Sequence, residues 1–174
     1  MNNIRSVAKA FCSGNYDNEL PASIWPPVFN YIVENHTALE LQRDKVHMLW
    51  TVSGGHLRDK IRDDDLIASV LRLTMPGYAG EGLILYRGEC RFLFDAGQVG
   101  FCWTPDRTVA EMFARGLNAI ESGGVLLSAY APTAAILTAP NSHSAGHMRE
   151  FEYTCDPDLL ENIEVIGSYA KSAD

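Results

Sequence analysis

The sequence is short of positive charge. It has 14 Lys and Arg against 22 Asp and Glu, a formal net charge of −8 over 174 residues. The shortage is local: residues 1–80 carry eight basic and nine acidic side chains, and residues 81–174 carry six and thirteen. Sustained nucleic-acid binding takes most of its affinity from neutralised phosphates and needs a basic face. The second half cannot build one, so direct nucleic-acid binding and attachment to an anionic membrane surface are disfavoured. A small anionic cofactor held by one or two Arg stays open. Cysteine is scarce too. Cys12, Cys90, Cys102 and Cys155 form no CxxC pair and show no regular spacing, which excludes a disulfide-stapled miniprotein. No apolar run approaches the length of a membrane span, and Met1 to Leu20 has no signal-peptide core. A cytoplasmic protein with free, mostly buried thiols is expected.

Repeats and low-complexity tracts are likewise missing. What remains is an ordinary globular composition, 47% apolar and 21% charged, in a length that suits about one domain. Such a chain buries roughly two-thirds of its unfolded surface and needs no metal or crosslink for stability.

The pattern changes near residue 77. Before it the periodicity is helical. Pro26 and Pro27 suit a first helical turn, followed by a stripe of Val28, Phe29, Ile32, Val33 and His36. Thr37-Ala38-Leu39-Glu40 reads as a capping box. It opens a helix with Leu41, Lys45, Met48, Leu49 and Val52 on one side, stopped by Gly54-Gly55. His56 to Met75 is helical again, with a break at Asp63-Asp64-Asp65 where an Asp could cap a second helix, and Pro76-Gly77 ends it. After residue 77, Leu83–Arg87, Val99–Trp103, Gly124–Tyr130, Ala135–Thr138, Glu150–Cys155 and Ile163–Ser168 read as strands. Asp106–Arg115 reads as an amphipathic helix with Val109, Ala110 and Phe113 inward. Asn141–His147 reads as a polar loop. The expected fold is α+β: a helical segment over 1–76 packed on a mixed, mostly antiparallel sheet over 77–174, in one compact domain.

Three segments carry candidate chemistry. In Leu85-Tyr86-Arg87-Gly88-Glu89 an Arg ends an apolar strand and is followed at once by Gly. A guanidinium fork suits a diphosphate, and Gly lets backbone approach it. The alternative is an Arg paired to a nearby carboxylate. In Gly100-Phe101-Cys102-Trp103-Thr104-Pro105-Asp106 a strand ends and a helix starts. Thr104 can cap that helix or face a cleft, where Trp103 or Phe101 would be a flat wall. In Arg149-Glu150-Phe151-Glu152-Tyr153-Thr154-Cys155, strand alternation puts Glu150, Glu152 and Thr154 on one face. Paired carboxylates there suit acid/base or cation-stabilising work. The alternative is the solvated face of an edge strand.

In this order the three segments resemble the mono-ADP-ribosyltransferase family in its Arg–Ser–Glu form, over about residues 83–168. Tyr-Arg-Gly, then Gly-x-x-Trp-Thr and the Ala110-Glu111-Met112-Phe113-Ala114 helix, also resemble small bacterial and phage proteins of that fold. The resemblance implies an ADP-ribosyltransferase-like β core and NAD as co-substrate. It implies a target protein, which could be a host or defence protein met by a phage or bacterial effector. Arg87, with Gly88, would hold the NAD phosphates and ribose. Thr104 would lie in the segment that is Ser-Thr-Ser in the family. Glu152 would be the catalytic Glu, and Glu150 would orient the acceptor. Cys102 sits where a Ser is usual, and a thiol is a weak donor, so the departure bears on activity more than on fold.

The chemistry is coherent on its own terms. Breaking the nicotinamide–ribose bond passes through an oxocarbenium-like state, which a carboxylate stabilises. Nicotinamide is already a good leaving group, so no strong general acid is needed. Trp103, Phe101 or Tyr153 could stack on a ring. The second carboxylate could activate a guanidinium, a side-chain amide or water, so NAD hydrolysis is an alternative outcome. A non-enzymatic protein of the same fold, blocking a nucleic-acid-handling partner through its acidic face, is another. His143 and His147 lie in a Gly-containing loop and do not read as a zinc pair, so no metal is expected. The acidic second half favours a basic protein partner.

Overall fold

A computed structural model describes residues 4–171. The chain divides between Gly77 and Tyr78 into two units. The fold class is α+β, with every strand pairing antiparallel.

Among the described residues the first unit holds four α-helices: α1 (Ile4–Cys12), α2 (Trp25–Asn35), α3 (Arg43–Ile61) and α4 (Asp64–Thr74). Pro26 and Pro27 open α2, where the missing amide hydrogens leave no helical bond unmade. Its stripe of Val28, Phe29 and Ile32 is fully buried. Phe29 meets Phe11 of α1 at a 5.0 Å ring separation. The capping box is not formed: residues 36–38 make a 3-10 turn, and α3 starts only at Arg43. Nor do the two glycines stop α3. It runs through both, because Gly54 lies under Trp50, where a Cβ would come within 2.9 Å of the indole. The helix ends instead on Arg62, held in the left-handed conformation at φ 54°. Asp63 caps α4 by accepting from the Leu66 amide, and Arg58 pairs with Asp64 at 2.7 Å. At the other end of α4 the Arg43 guanidinium donates to the Leu73 and Met75 carbonyls, which the helix leaves unmatched.

Among the described residues the second unit carries two three-stranded sheets. One runs β1 (Leu83–Cys90), β3 (Gly124–Ala131), β6 (Glu161–Tyr169), with β3 in the centre; the other runs β2 (Cys102–Trp103), β5 (Tyr153–Cys155), β4 (Ile136–Thr138). Period-two alternation sorts the faces. Leu85 on β1 and Val125, Leu127 and Ala129 on β3 form one core with Trp103, Ile136 and Cys155 of the second sheet. Leu126 faces the other way, onto Ala110 and Ala114 of α6 (Arg107–Arg115). The helix lies close because two strand positions have no side chain. A Cβ on Gly88 would meet the Ala110 carbonyl and Ala114 amide, and one on Gly124 would meet the Ala114 carbonyl. A one-turn helix, α5 (Arg91–Asp95), follows β1.

Several expected strands are shorter. Val99–Trp103 keeps only its last two residues, because the Gly100 amide donates to Glu89 and its carbonyl accepts from the Trp103 indole. Glu150–Cys155 keeps only its last three. Residues 141–147 are not an open loop: His143–Met148 is a π-helical turn. No helix among the described residues is long and apolar enough to cross a membrane. All four cysteines are free, Cys12 and Cys155 fully buried.

Candidate functional site

Besides their shared core, the two sheets of the second unit are joined by a backbone bridge, where Tyr86 and Thr104 exchange amide–carbonyl bonds of 2.8 and 2.9 Å. Beyond the bridge β1 and β2 do not pair, and a cleft of about 330 Å³ opens beside them. That volume is at the small end of the range for ligand sites. Its walls come from Tyr86, Arg87 and Gly88 of β1, Cys102 to Thr104 of β2 and its end, and Val109, Ala110 and Phe113 of α6. Leu117 and Asn118 lie at one rim, and Glu150 and Glu152 come from the segment before β5.

Arg87 spans the gap between the strands. Its Nε donates to Glu89 Oε2 at 2.7 Å and its Nη1 to the Cys102 carbonyl at 2.8 Å. Glu89 is two residues on and shares its face, and its side chain is 1% exposed. The carboxylate also accepts from the Cys90 and Gly100 amides. Burial would push Glu89 upward, but the Arg87 charge and these three donors hold it below the usual carboxylate range. Burial likewise works against the Arg87 charge, and the Glu89 carboxylate beside it more than restores it. Gly100 supplies the room: a Cβ there would collide with the guanidinium. The alternative reading of Arg87, a carboxylate-paired Arg, therefore holds as geometry. It does not exhaust the residue, since these bonds use two of five guanidinium donors and the side chain still lines the cleft.

Glu150 and Glu152 both reach the cleft, though not by strand alternation. Arg149 and Phe151 are left-handed, at φ 56° and 49°. The backbone is held by Ser144, whose carbonyl accepts from the Glu150 amide at 2.9 Å and whose hydroxyl accepts from the Glu152 amide at 2.6 Å. Burial pushes the Glu152 carboxyl up, and so does the Glu150 charge; a hydrogen bond from the Cys102 thiol and the Arg87 charge pull the other way. Its Oε1 is buried with no hydrogen-bond partner. Glu150 is raised by burial, against the His143 charge. The Cys102 thiol is pushed far up, by burial first and then by Glu152. The shift disfavours the thiolate that a strong nucleophile needs.

The remaining candidates separate. Trp103 lines the cleft but is 1% exposed, with its indole N–H bonded to the Gly100 carbonyl, so it is floor and not a free wall. Thr104 lines the cleft and does not cap α6. Its hydroxyl accepts from the Asp106 amide, and Asp106 caps the helix through the Thr108 and Val109 amides. Gly88 lines the cleft, but the space of its missing Cβ is taken by α6, not left open for a ligand. Phe101 and Tyr153 are not among the lining residues. Phe101 is buried, and Tyr153 packs edge-on to Tyr78 at 6.1 Å. Besides Trp103, Tyr86 and Phe113 line the cleft; they were legible only as a neighbour of Arg87 and as the inward face of the α6 helix. Ser144 had no sequence signal at all.

His143 and His147 approach to 5.8 Å between rings, but among the described residues no group of three His, Cys, Asp or Glu side chains could hold a metal ion. Compared with known proteins, the chain matches no family model, no curated protein and no solved structure.

Proposed function

We propose that the protein is a mono-ADP-ribosyltransferase that uses NAD as co-substrate and modifies a protein. The reading rests on one observation: Arg87 and Glu152, 65 positions apart in the chain, share a cleft with Cys102, Thr104 and Glu150. In this reading the uncommitted guanidinium donors of Arg87 take the diphosphate. Glu152 faces the nicotinamide ribose, where its charge stabilises the oxocarbenium-like state as the glycosidic C–N bond breaks and its electron pair leaves with nicotinamide. The acceptor then bonds to the ribose carbon, and its proton passes to Glu150. The acidic second half favours a basic target, consistent with a bacterial or phage effector working in a cytoplasm on a nucleic-acid-handling protein.

The test is incubation with NAD labelled in its ADP-ribose part and a cell lysate. A labelled protein band is expected with the wild type and none with Glu152→Gln folded to the same melting temperature or higher. Absence of both label and nicotinamide release from the wild type would overturn the reading. Nicotinamide release with no protein label would assign NAD hydrolysis instead.

One observation favours a second reading, a non-enzymatic binding protein of this fold. Two Arg87 donors are already committed, and a weak thiol stands where a hydroxyl donor would serve Glu152 better. Calorimetric titration with NAD separates the two, since this reading expects no heat.

A further inference from the structure

Four consecutive amides, those of residues 149 to 152, end on a single side chain and its own carbonyl. The Ser144 carbonyl accepts from Arg149 where the π-helical turn closes, from Glu150 at 2.9 Å and from Phe151 at 3.4 Å. The Ser144 hydroxyl accepts from the Glu152 amide at 2.6 Å. Ser144 is 1% exposed, and its own amide is tied to Asn141 Oδ1 at 2.9 Å. Two left-handed non-glycine residues within three positions are strained. They persist only where the surroundings over-determine them, and this set of bonds does so. The carbonyl bonds belong to the backbone and survive any substitution. The hydroxyl bond is the one that the side chain alone supplies, and it lands on Glu152.

We infer that Ser144 is a positioning residue that sets where the Glu152 carboxylate stands against Cys102 and Arg87. Its structural half stands on the hydrogen bonds above; its consequence for catalysis rests on the function proposed in the preceding section. Removing the hydroxyl leaves the part-buried Glu152 amide without this acceptor and frees the carboxylate to shift.

The first readout needs no substrate. Burial first and then the Glu152 charge raise the Cys102 thiol, so displacing the carboxylate removes the second of these and makes Cys102 more reactive. Site-resolved alkylation by iodoacetamide at pH 8, read by mass spectrometry, is expected to run several-fold faster at Cys102 in Ser144→Ala than in the wild type. Glu152→Gln serves as the upper reference and Ser144→Thr, which keeps the hydroxyl, returns toward wild type. Cys12, buried and pushed up to about 11, is an internal control that should not change. An unchanged Cys102 rate in folded Ser144→Ala overturns the inference. Should that variant fail to fold, hydrogen exchange in the wild type decides: a Glu152 amide as fast as an open-chain amide overturns it, and a protected one supports it.

The second readout is catalytic. With nicotinamide release as the assay, Ser144→Ala should lose roughly ten-fold in kcat with KM for NAD little changed, and the acid limb of its pH profile should move. If the wild type releases no nicotinamide, the proposed function fails while the alkylation result still judges Ser144.

Discussion

Burial raises the Glu152 carboxyl, yet the proposed chemistry needs it ionised. The activity of the wild type is therefore expected to fall on the acid side at a pH above the ordinary carboxylate range, visible in a profile of nicotinamide release. The same shift has a stability sign. A carboxyl raised in the folded state binds its proton more tightly there than in the unfolded chain, whose Glu titrates near about 4.3. Its contribution is present at low pH and is lost as pH rises through the raised folded value. Glu152→Gln should then melt higher than the wild type, by a margin that grows from pH 5 to pH 8 in thermal denaturation. Cys102→Ser replaces a weak donor with a stronger one. It should draw the Glu152 value down, shift the acid limb to lower pH and raise kcat by about two- to ten-fold. Arg87 is a poor site for a first test of catalysis. Arg87→Ala leaves the buried Glu89 carboxylate unpaired, which costs about 3–5 kcal/mol in denaturant unfolding before any substrate is considered.

At the scale of elements, the glycines of this chain are not alike. Gly88 and Gly124 let α6 lie against β1 and β3, and the neighbours they would strike are backbone, which cannot step aside. Gly88→Ala and Gly124→Ala should each destabilise by about 1–3 kcal/mol in urea. Gly54 makes room for Trp50, whereas Gly55 on the same helix faces open space. Gly55→Ala should stabilise by about 0.5–1 kcal/mol, since it removes backbone entropy from the unfolded chain and fills nothing. The contrast explains why Gly54-Gly55 reads as a helix stop and is not one. Local propensity sees two weak helix residues, while α3 is held by the burial of Trp50, Leu57 and Ile61 on either side of them. The Glu150–Cys155 stretch misleads in the same way. Its alternation is real in the text, but Ser144 captures three of its amides, so only Tyr153 to Cys155 reach a sheet ladder.

At the scale of the whole molecule, the charge asymmetry makes its own prediction. Residues 81–174 carry the cleft and an excess of seven acidic side chains. Labelling of a basic acceptor such as a polyarginine peptide should slow several-fold between 50 and about 300 mM salt, and that of an acidic peptide should not. Equal salt response for the two peptides would remove charge steering from the account.

The change of pattern at residue 77, the strands β1, β3, β4 and β6, the helix α6, and the order Arg87, Thr104, Glu150, Glu152 were legible in the residues. So was an Asp cap within residues 63–65. These depend on side-chain period and on charges, which a sequence carries directly. Where a backbone amide finds its acceptor, and which glycine has a neighbour, are contacts between segments distant in the chain. Only the tertiary structure decided that Glu89 and Gly100 seat Arg87, that Asp106 and not Thr104 caps α6, that Phe101 and Tyr153 stay out of the cleft, and that Ser144 holds the segment bearing Glu152. The reason is physical: buried hydrogen bonds and close packing are satisfied by whatever the fold brings near, and nearness is not written in order along the chain.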